Sequence, residues 1–405
     1  MSGPLNGIRV VDWTIWQQGP FSTTMLADFG AEVIKIEEAK NGDPGRGLAS
    51  VGGTGVSSGP GRNFYLEANN RHKKSVALNL KHPEGHETVC KLAQQSDVFV
   101  QNFRKGVARR LGLDYETLRR YNPRLIYASA SGYGPLGPDA DQPSFDGLGQ
   151  ARSGFLYSVN QPVSEPLNIS GGVADQMGGI MLAFGIVMAL VARERLGVGQ
   201  EVDASHLGSM MALQGLSVSS KGIVGKEIGK AGREATYNPL FNHYKCADDK
   251  WLALAMMQAD RYWKDFCRTM GLEAIVEDPR FVNMAARSKN CRQCIAVLDS
   301  VFLTKPRDYW LSALREGGDF IFTVVNTISD LENDPQVIAN EYIVDYEHPS
   351  LGAMKLLGLP VRLSATPGEP RGRAPEHGEH TELVLSELLG YKWEDIDRLH
   401  KEGVI

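Results

Sequence analysis

The chain has 405 residues, 42% of them hydrophobic and 22% charged, with 43 Lys+Arg against 48 Asp+Glu for a formal net charge of −5. This is ordinary globular usage, over a length that suits two or three domains of about 150 residues each. The lack of a basic surplus argues against a general nucleic-acid binder. Five cysteines and an opening MSGPLNGIRVVDW without a basic segment leading into an apolar run point to a reducing cytoplasm and no secretion signal.

The first two hundred residues alternate short Val/Ile-rich runs with helical patterns. Strands are expected at Ile8–Trp13, Glu32–Glu37, Ser75–Leu80, Val98–Phe103 and Leu125–Ser131, and helices at Phe21–Phe29, Pro83–Gln95 and in the turns from Val107 to Tyr121. Short apolar strands alternating with helices imply a doubly wound α/β domain. Long loops are expected at Gly42–Arg62 and Gly132–Asp146. A helix follows over Asp175–Arg195. Its most apolar stretch, Met177 to Ala192, is 16 residues, short of the ~20 a bilayer needs, so it reads as a buried core helix. Gly197–Gln200 turns into a short strand, Glu201–Ala204.

The pattern weakens around Ser217–Arg233. Beyond it a strand pair, His243–Cys246 and Trp251–Ala255, flanks the turn signal Asp248-Asp249, and a helix is expected at Asp260–Thr269. Further strand-like runs lie at Tyr342–Tyr346 and Met354–Val361, with closing helices at Thr381–Leu389 and Trp393–Lys401. The expected fold class is therefore α/β: a large doubly wound, Rossmann-like domain plus a smaller α+β domain. The expected boundaries are 1–216 for the first part of the large domain, 217–237 for a linker, 238–325 for the small domain, and 326–405 for a return linker and the rest of the large domain.

No G-x-G-x-x-G follows the first strand, and no P-loop, H-E-x-x-H or G-x-S-x-G is present, which disfavours the chemistries those motifs carry. Cys291 and Cys294 form a C-x-x-C without a second ligand pair at suitable spacing, so no metal site is expected. The segment Ser170-Gly-Gly-Val-Ala-Asp175-Gln-Met-Gly-Gly179 places one carboxylate between paired glycines at the start of an apolar helix. The ordinary reading is a helix cap. The chemical reading is a carboxylate nucleophile that a ligand can approach closely.

Taken in order, PLNGIRVVDWT, LADFGAEVIKIE, KKSVALNLKHPEG, DVFVQNFRKGVARRLGL, NPRLIYASASGYGP, ADQMGG, RLGVGQEVDAS and APEHGEHTELVLSELLG resemble the class III CoA-transferases over nearly the whole chain. The resemblance makes Asp175 the catalytic aspartate and sets Gln17 beside the reacting carbonyl. It places Gln18 where a small residue is usual. Leu78, Lys81, Asn102, Phe103, Arg110, Leu111 and Tyr133 fall on CoA-contacting positions, with Lys73 and Lys74 as further phosphate partners. Glu38 stands where some members carry a basic residue, and Gly222–Gly232 has spaced glycines where some relatives carry a glycine-rich lid. Trp16, Phe241 and Tyr244 would line an apolar acyl pocket.

The implied reaction moves CoA from a donor acyl-CoA, such as succinyl-CoA, to an organic acid, through an aspartyl anhydride and an aspartyl-CoA thioester. It requires no tightly bound cofactor and no metal; acyl-CoA is a substrate. The segments Asn238–Cys246 and Gln258–Trp263 look like members that act on arylalkyl, 2-hydroxy or dicarboxylic acids, benzylsuccinate and phenyllactate among them. An α-methylacyl-CoA racemase shares the fold, but its histidine position reads Ser144-Phe145-Asp146 here, and no histidine occurs between His86 and His206. The implied assembly is an interlinked dimer with the site between the large domain of one chain and the small domain of the other. That dimer is either a homodimer or a heteromer with a paralogous subunit. No nucleic-acid or membrane partner is implied.

Overall fold

Six runs rich in Val, Ile and Ala form one sheet in the computed structural model, which describes residues 3–59, 62–159, 165–167, 169–229, 232–370 and 372–405. They are β1 (Arg9–Trp13), β2 (Glu32–Glu38), β3 (Lys73–Leu78), β4 (Val98–Gln101), β5 (Ile126–Ser131) and β6 (Gln200–Ser205). The spatial order is β6-β5-β4-β1-β2-β3 and every pairing is parallel. This is the doubly wound order in which ligands bind beyond the carboxyl ends of the strands, where the order reverses. The reversal lies between β1 and β4. Buried layers cover the sheet on both sides, one around Ile34, Val76, Val89 and Phe99, the other around Val10, Val33, Val98 and Ile186.

The helices that position the site are α1 (Gln18–Asp28), α2 (Pro83–Gln94), α3 (Asp146–Arg152), α4 (Val173–Leu196), α5 (His206–Leu213) and α6 (Gly215–Val224). Helix α1 begins three residues earlier than expected, with Pro20 tolerated in its first turn. Strand β3 begins two residues earlier than expected because Lys73 is held inside the sheet by buried acceptors. Helix α6 occupies the first part of the stretch expected as a linker.

Helix α4 corrects the buried-core reading. It has 24 residues, and only 44% of its most apolar stretch is buried. One face packs on α1 and β6. Gly178 lets the Gln18 side chain lie against it, since an added Cβ would sit 2.5 Å from the Gln18 amide. The opposite face leaves Ile180, Phe184, Val187, Met188 and Val191 exposed.

Residues 1–159, 166–226 and 338–405 form one compact unit, and 227–337 form the bulk of another. The second unit holds an antiparallel sheet of β7 (Phe241–Lys245), β8 (Trp251–Ala255) and β9 (Phe322–Val325). Its helices pack Trp263, Phe266, Phe302 and Trp310 into one core. Cys294 belongs to that core, and burial pushes its thiol up to about 12. Pro60 and Gly61 of the Gly42–Arg62 loop, and Lys230 and Ala231 of the Gly222–Gly232 stretch, lie outside the described residues.

Candidate active site

The loop after β1 is built on buried charge. Lys35 and Asp43 form an ion pair at 2.8 Å, with both side chains essentially removed from solvent. The Lys35 ammonium also donates to the Thr14 carbonyl at 2.8 Å. Asp43 Oδ1 accepts from the backbone N–H of Trp16 (3.2 Å) and Gly45 (2.8 Å). On the other side, Asn102 clamps Ile15: its Oδ1 accepts from Ile15 N at 2.9 Å and its Nδ2 donates to Ile15 O at 2.6 Å. The clamp spans the β1/β4 reversal. Between these anchors Trp16 adopts φ +65°, a conformation that costs a bulky residue about 1–3 kcal/mol and persists only where surroundings enforce it.

Glu37 supports the same loop, accepting from Asp43 N at 2.9 Å and from Arg46 at 2.6 and 2.7 Å. Burial alone would raise its carboxyl. The Arg46 hydrogen bonds, the Lys35 and Arg46 charges and the Ser75 hydroxyl outweigh that and hold it at about 2. A carboxyl lowered in the folded state stabilises above its unfolded value of about 4.5, and that contribution fades as pH falls toward 2. The span amounts to about 3 kcal/mol. Urea unfolding followed from pH 6 to pH 3 should therefore show Glu37→Gln less stable at pH 6, with a shallower decline than wild type. Parallel declines would refute the assignment.

The second half of the site is the start of α4. Gly171 and Gly172 take φ +101° and +77°, and a Cβ on Gly172 would sit 2.5 Å from the Gln17 amide. Glycine here thus serves both the turn and the close approach of Gln17. The expected cap is corrected. Asp175 is the third residue of α4, and Asp146 does the capping: its Oδ1 accepts from Ala174 N at 2.6 Å and Asp175 N at 3.2 Å, while its Oδ2 takes the Gln150 amide at 2.6 Å. With its amides satisfied by a neighbour, the helix leaves the Asp175 side chain free to face the cavity. Its Oδ1 lies 2.8 Å from His206 Nε2, and its Oδ2 has no hydrogen bond from any described residue.

Burial, and the charge of Asp175, raise the Asp146 carboxyl against the pull of the amides it accepts. Burial and the carboxylates Asp175, Asp43 and Asp146 push the Tyr65 phenol far above its usual value, so Tyr65 stays a protonated donor. Asp146, Tyr65 and His206 were not singled out from sequence. Asp146 stood in a motif examined for histidine, and His206 sits directly after the Val-Asp-Ala-Ser strand.

These groups open on a cavity of about 1330 Å³ lined by Trp16, Gln17, Gln18, Asn102, Phe103, Arg110, Asp146, Asp175 and His206. Trp16 and Phe145 meet edge to face at 6.3 Å and form an apolar wall beside Asp175. The Gln18 amide is spent on the Ala204 carbonyl at 3.1 Å. On the rim, Arg104, Arg109 and Arg110 have no ion-pair partner among the described residues, which suits phosphate groups.

Other residues expected at the site do not line this cavity. Leu78 is wholly inside the core, so its side chain reaches no ligand. Lys73 is fully buried, bonding Asp12 at 2.8 Å and three further acceptors, and burial draws its ammonium down to about 8. Lys74 pairs with Glu32 at 2.6 Å. The Tyr133 ring carries the Arg152 guanidinium at 4.9 Å. Leu111 packs against the core, and Lys81 is exposed beyond β3; neither lines the cavity. Tyr244 lies inside the core of the 227–337 unit, stacked on Phe302 at 4.8 Å and donating to the Pro239 carbonyl at 2.6 Å. Phe241 is half exposed on that unit's sheet. Among the described residues no cluster suits a metal ion.

Comparison with known proteins places the chain in a family. Residues 5–381 match the family model described as CoA-transferase family III. The chain is 33% identical to an acyl-CoA transferase of Fusarium pseudograminearum over 100% of its length and 88% of that protein. It is 32% identical to the (R)-2-hydroxy-4-methylpentanoate CoA-transferase of Clostridioides difficile, covering 99% of each. A CAIB/BAIF family protein from Brucella suis superposes with a TM-score of 0.85 at 28% identity, over 96% of this chain and 100% of that one. The family match runs over almost the whole chain and relatives above 30% identity cover it from end to end, so this protein is an enzyme of CoA-transferase family III.

Proposed function

We propose that the chain transfers CoA between carboxylic acids through covalent intermediates on Asp175, with an acceptor acid that carries a bulky apolar or aryl substituent. The observation that carries this reading is the Asp175 carboxylate: the amides of its helix start are capped by Asp146, its Oδ2 takes no hydrogen bond from any described residue, and it lines a cavity of about 1330 Å³. Asp175 Oδ2 attacks the donor thioester carbonyl, giving a mixed anhydride and CoA thiolate. The thiolate attacks the aspartyl carbonyl, releasing the donor acid and leaving an aspartyl-CoA thioester. The acceptor carboxylate attacks that thioester, forming a new anhydride and thiolate. The thiolate then takes the acceptor acyl group and frees Asp175. One thioester is exchanged for another, so no nucleotide is needed. The Gln17 amide, held against Gly172, donates toward the reacting carbonyl. The rim arginines bind the CoA phosphates. The Trp16–Phe145 wall supports the bulky acceptor, and the buried free cysteines support a cytoplasmic setting.

A two-base racemisation needs its acid and base on opposite faces of the α-carbon. The histidine such a racemase would use precedes the long helix, and that place reads Ser144-Phe145-Asp146 here, which favours transfer. The test is intact-mass spectrometry after incubation with a panel of acyl-CoAs that includes succinyl-CoA, followed by hydroxylamine trapping. A CoA adduct on Asp175 with particular donors supports the reading and names the donor. Deuterium uptake at the substrate α-carbon without any adduct would overturn it.

We also propose that a second copy of this chain covers the outer face of α4. Ile180, Phe184, Val187, Met188 and Val191 repeat at helical spacing as an apolar stripe of the kind that packs against another helix. Sedimentation velocity should find a dimer of the 44.4 kDa chain, and Phe184→Glu should shift it to monomer. A wild-type monomer, or a stoichiometric complex only with a paralogous subunit, would overturn the homodimer.

A further inference from the structure

His206 has a chemical task that the nucleophile assignment leaves open. It is the first residue of α5, and its side chain is almost wholly buried. Its Nε2 lies 2.8 Å from Asp175 Oδ1, and its Nδ1 lies 3.3 Å from Ser144 Oγ. The carboxylate fixes which nitrogen carries the proton: an ionised Asp175 only accepts, so Nε2 donates to it, while Nδ1 meets the Ser144 hydroxyl. The placement is built into the surroundings. A Cβ on Gly149 would sit 2.6 Å from His206 Cβ, so only glycine at 149 lets the imidazole lie where it does. Leu207 N donates to the Gly132 carbonyl at 3.1 Å and holds the start of α5 to the loop that carries Ser144.

We propose that His206 is a catalytic residue, the donor that holds the oxyanion on the aspartyl carbonyl each time that carbonyl is attacked. This rests on the covalent reading of Asp175. In that reading one oxygen of Asp175, Oδ2, forms the new bond to the acyl carbon. The other, Oδ1, becomes the carbonyl oxygen of the anhydride and of the aspartyl-CoA thioester. When the thiolate adds to Cγ of the anhydride, the electron pair of the carbonyl bond moves onto Oδ1. It returns when Oδ2 leaves with the donor acid. When the acceptor carboxylate adds to Cγ of the thioester, the pair moves onto Oδ1 again and returns as the thiolate leaves. His206 Nε2–H already points at Oδ1 from hydrogen-bond distance, on a buried side chain that is held in place before the reaction, as preorganised donors to a developing oxyanion are. The opening attack puts its oxyanion on the donor's own carbonyl, away from His206. The same bond leaves Oδ2 as the oxygen available for that attack.

The test compares wild type with His206→Met, which keeps an apolar filling, and His206→Gln, which restores a neutral N–H donor. The donor is whichever of acetyl-CoA, succinyl-CoA and 3-phenylpropanoyl-CoA labels Asp175 of the wild type, with its own acid, isotope-labelled, as acceptor. Three quantities are read: kcat, the KM for acyl-CoA, and the decay of preformed aspartyl-CoA when acid is added. His206→Met should lower kcat and the decay rate about 100-fold, with KM within threefold of wild type, and His206→Gln should recover at least tenfold of that loss. Decay in His206→Met within threefold of wild type, or a loss that appears in KM and is equal in both variants, would overturn the role while Asp175 stands as nucleophile. Failure of all three donors to label wild-type Asp175 would overturn the covalent reading and this role with it.

Discussion

Replacing Asp175 with Ala should abolish CoA transfer while leaving the fold intact. A covalent nucleophile splits one difficult exchange into two easier ones, and its removal typically costs about 10⁴-fold or more in kcat. The structural side of the expectation is equally specific. Asp175 is not the cap of α4; Asp146 accepts from the first amides, so Asp175→Ala should melt within a few degrees of wild type. Asp146→Ala should behave differently, losing about 1–2 kcal/mol with the cap and part of the activity with the displaced helix start. Thermal denaturation beside a coupled transfer assay separates the two. An Asp175→Ala chain with more than about one hundredth of wild-type kcat would remove Asp175 from the chemistry. Asp175→Asn should be as inactive as Ala, because an amide keeps the shape of the site but cannot form the anhydride.

The legible and illegible parts of the protein differ in kind. The inner strands of the large sheet were readable because they are buried on both faces, and burial on both faces demands runs such as Val98-Phe-Val100. The helix near Trp393–Lys401 was readable because its polar and apolar positions alternate at helical spacing. Asp175 stood out because glycines flank a lone acid at a helix start, but the residues alone left cap and nucleophile open, and only the family resemblance assigned it a chemical role. What could not be read was partnership across long sequence separations. Nothing local marks Asp146 as the cap for amides 28 and 29 residues downstream, and His206 meets Asp175 only because α5 folds back over the start of α4. The same limit explains the misplaced lysines. Lys73 and Lys74 read as a basic pair open to phosphate. The sheet buries Lys73 against Asp12 and gives Lys74 the Glu32 carboxylate. Tyr244 failed for another reason: an aromatic in a half-polar strand reads the same whether it faces a ligand or a core.

The second large effect belongs to the buried pair beneath Trp16. Burial would lower the Lys35 ammonium, but the charges of Asp43, Asp12 and Glu37 outweigh it and hold the group charged. Removing the carboxylate strands that charge in the core, which costs about 3–5 kcal/mol. Asp43→Asn should therefore lose that much stability in urea unfolding. It keeps an oxygen for Trp16 N and Gly45 N, so the folded fraction should retain transfer activity. Asp43→Ala removes both the charge and the acceptor. It should lose comparable stability and, beyond that, activity, because the strained φ of Trp16 is no longer enforced and Gln17 follows it in the chain. The double variant Lys35→Met/Asp43→Leu distinguishes charge from positioning. Replacing a buried ion pair by apolar residues of similar volume is often neutral, so stability should return to near wild type. Activity should not return, since Trp16 N still lacks its acceptor. A fully active double variant would show that the pair serves only to fill the core, and single variants that lose less than about 1 kcal/mol would show that the charge was never uncompensated.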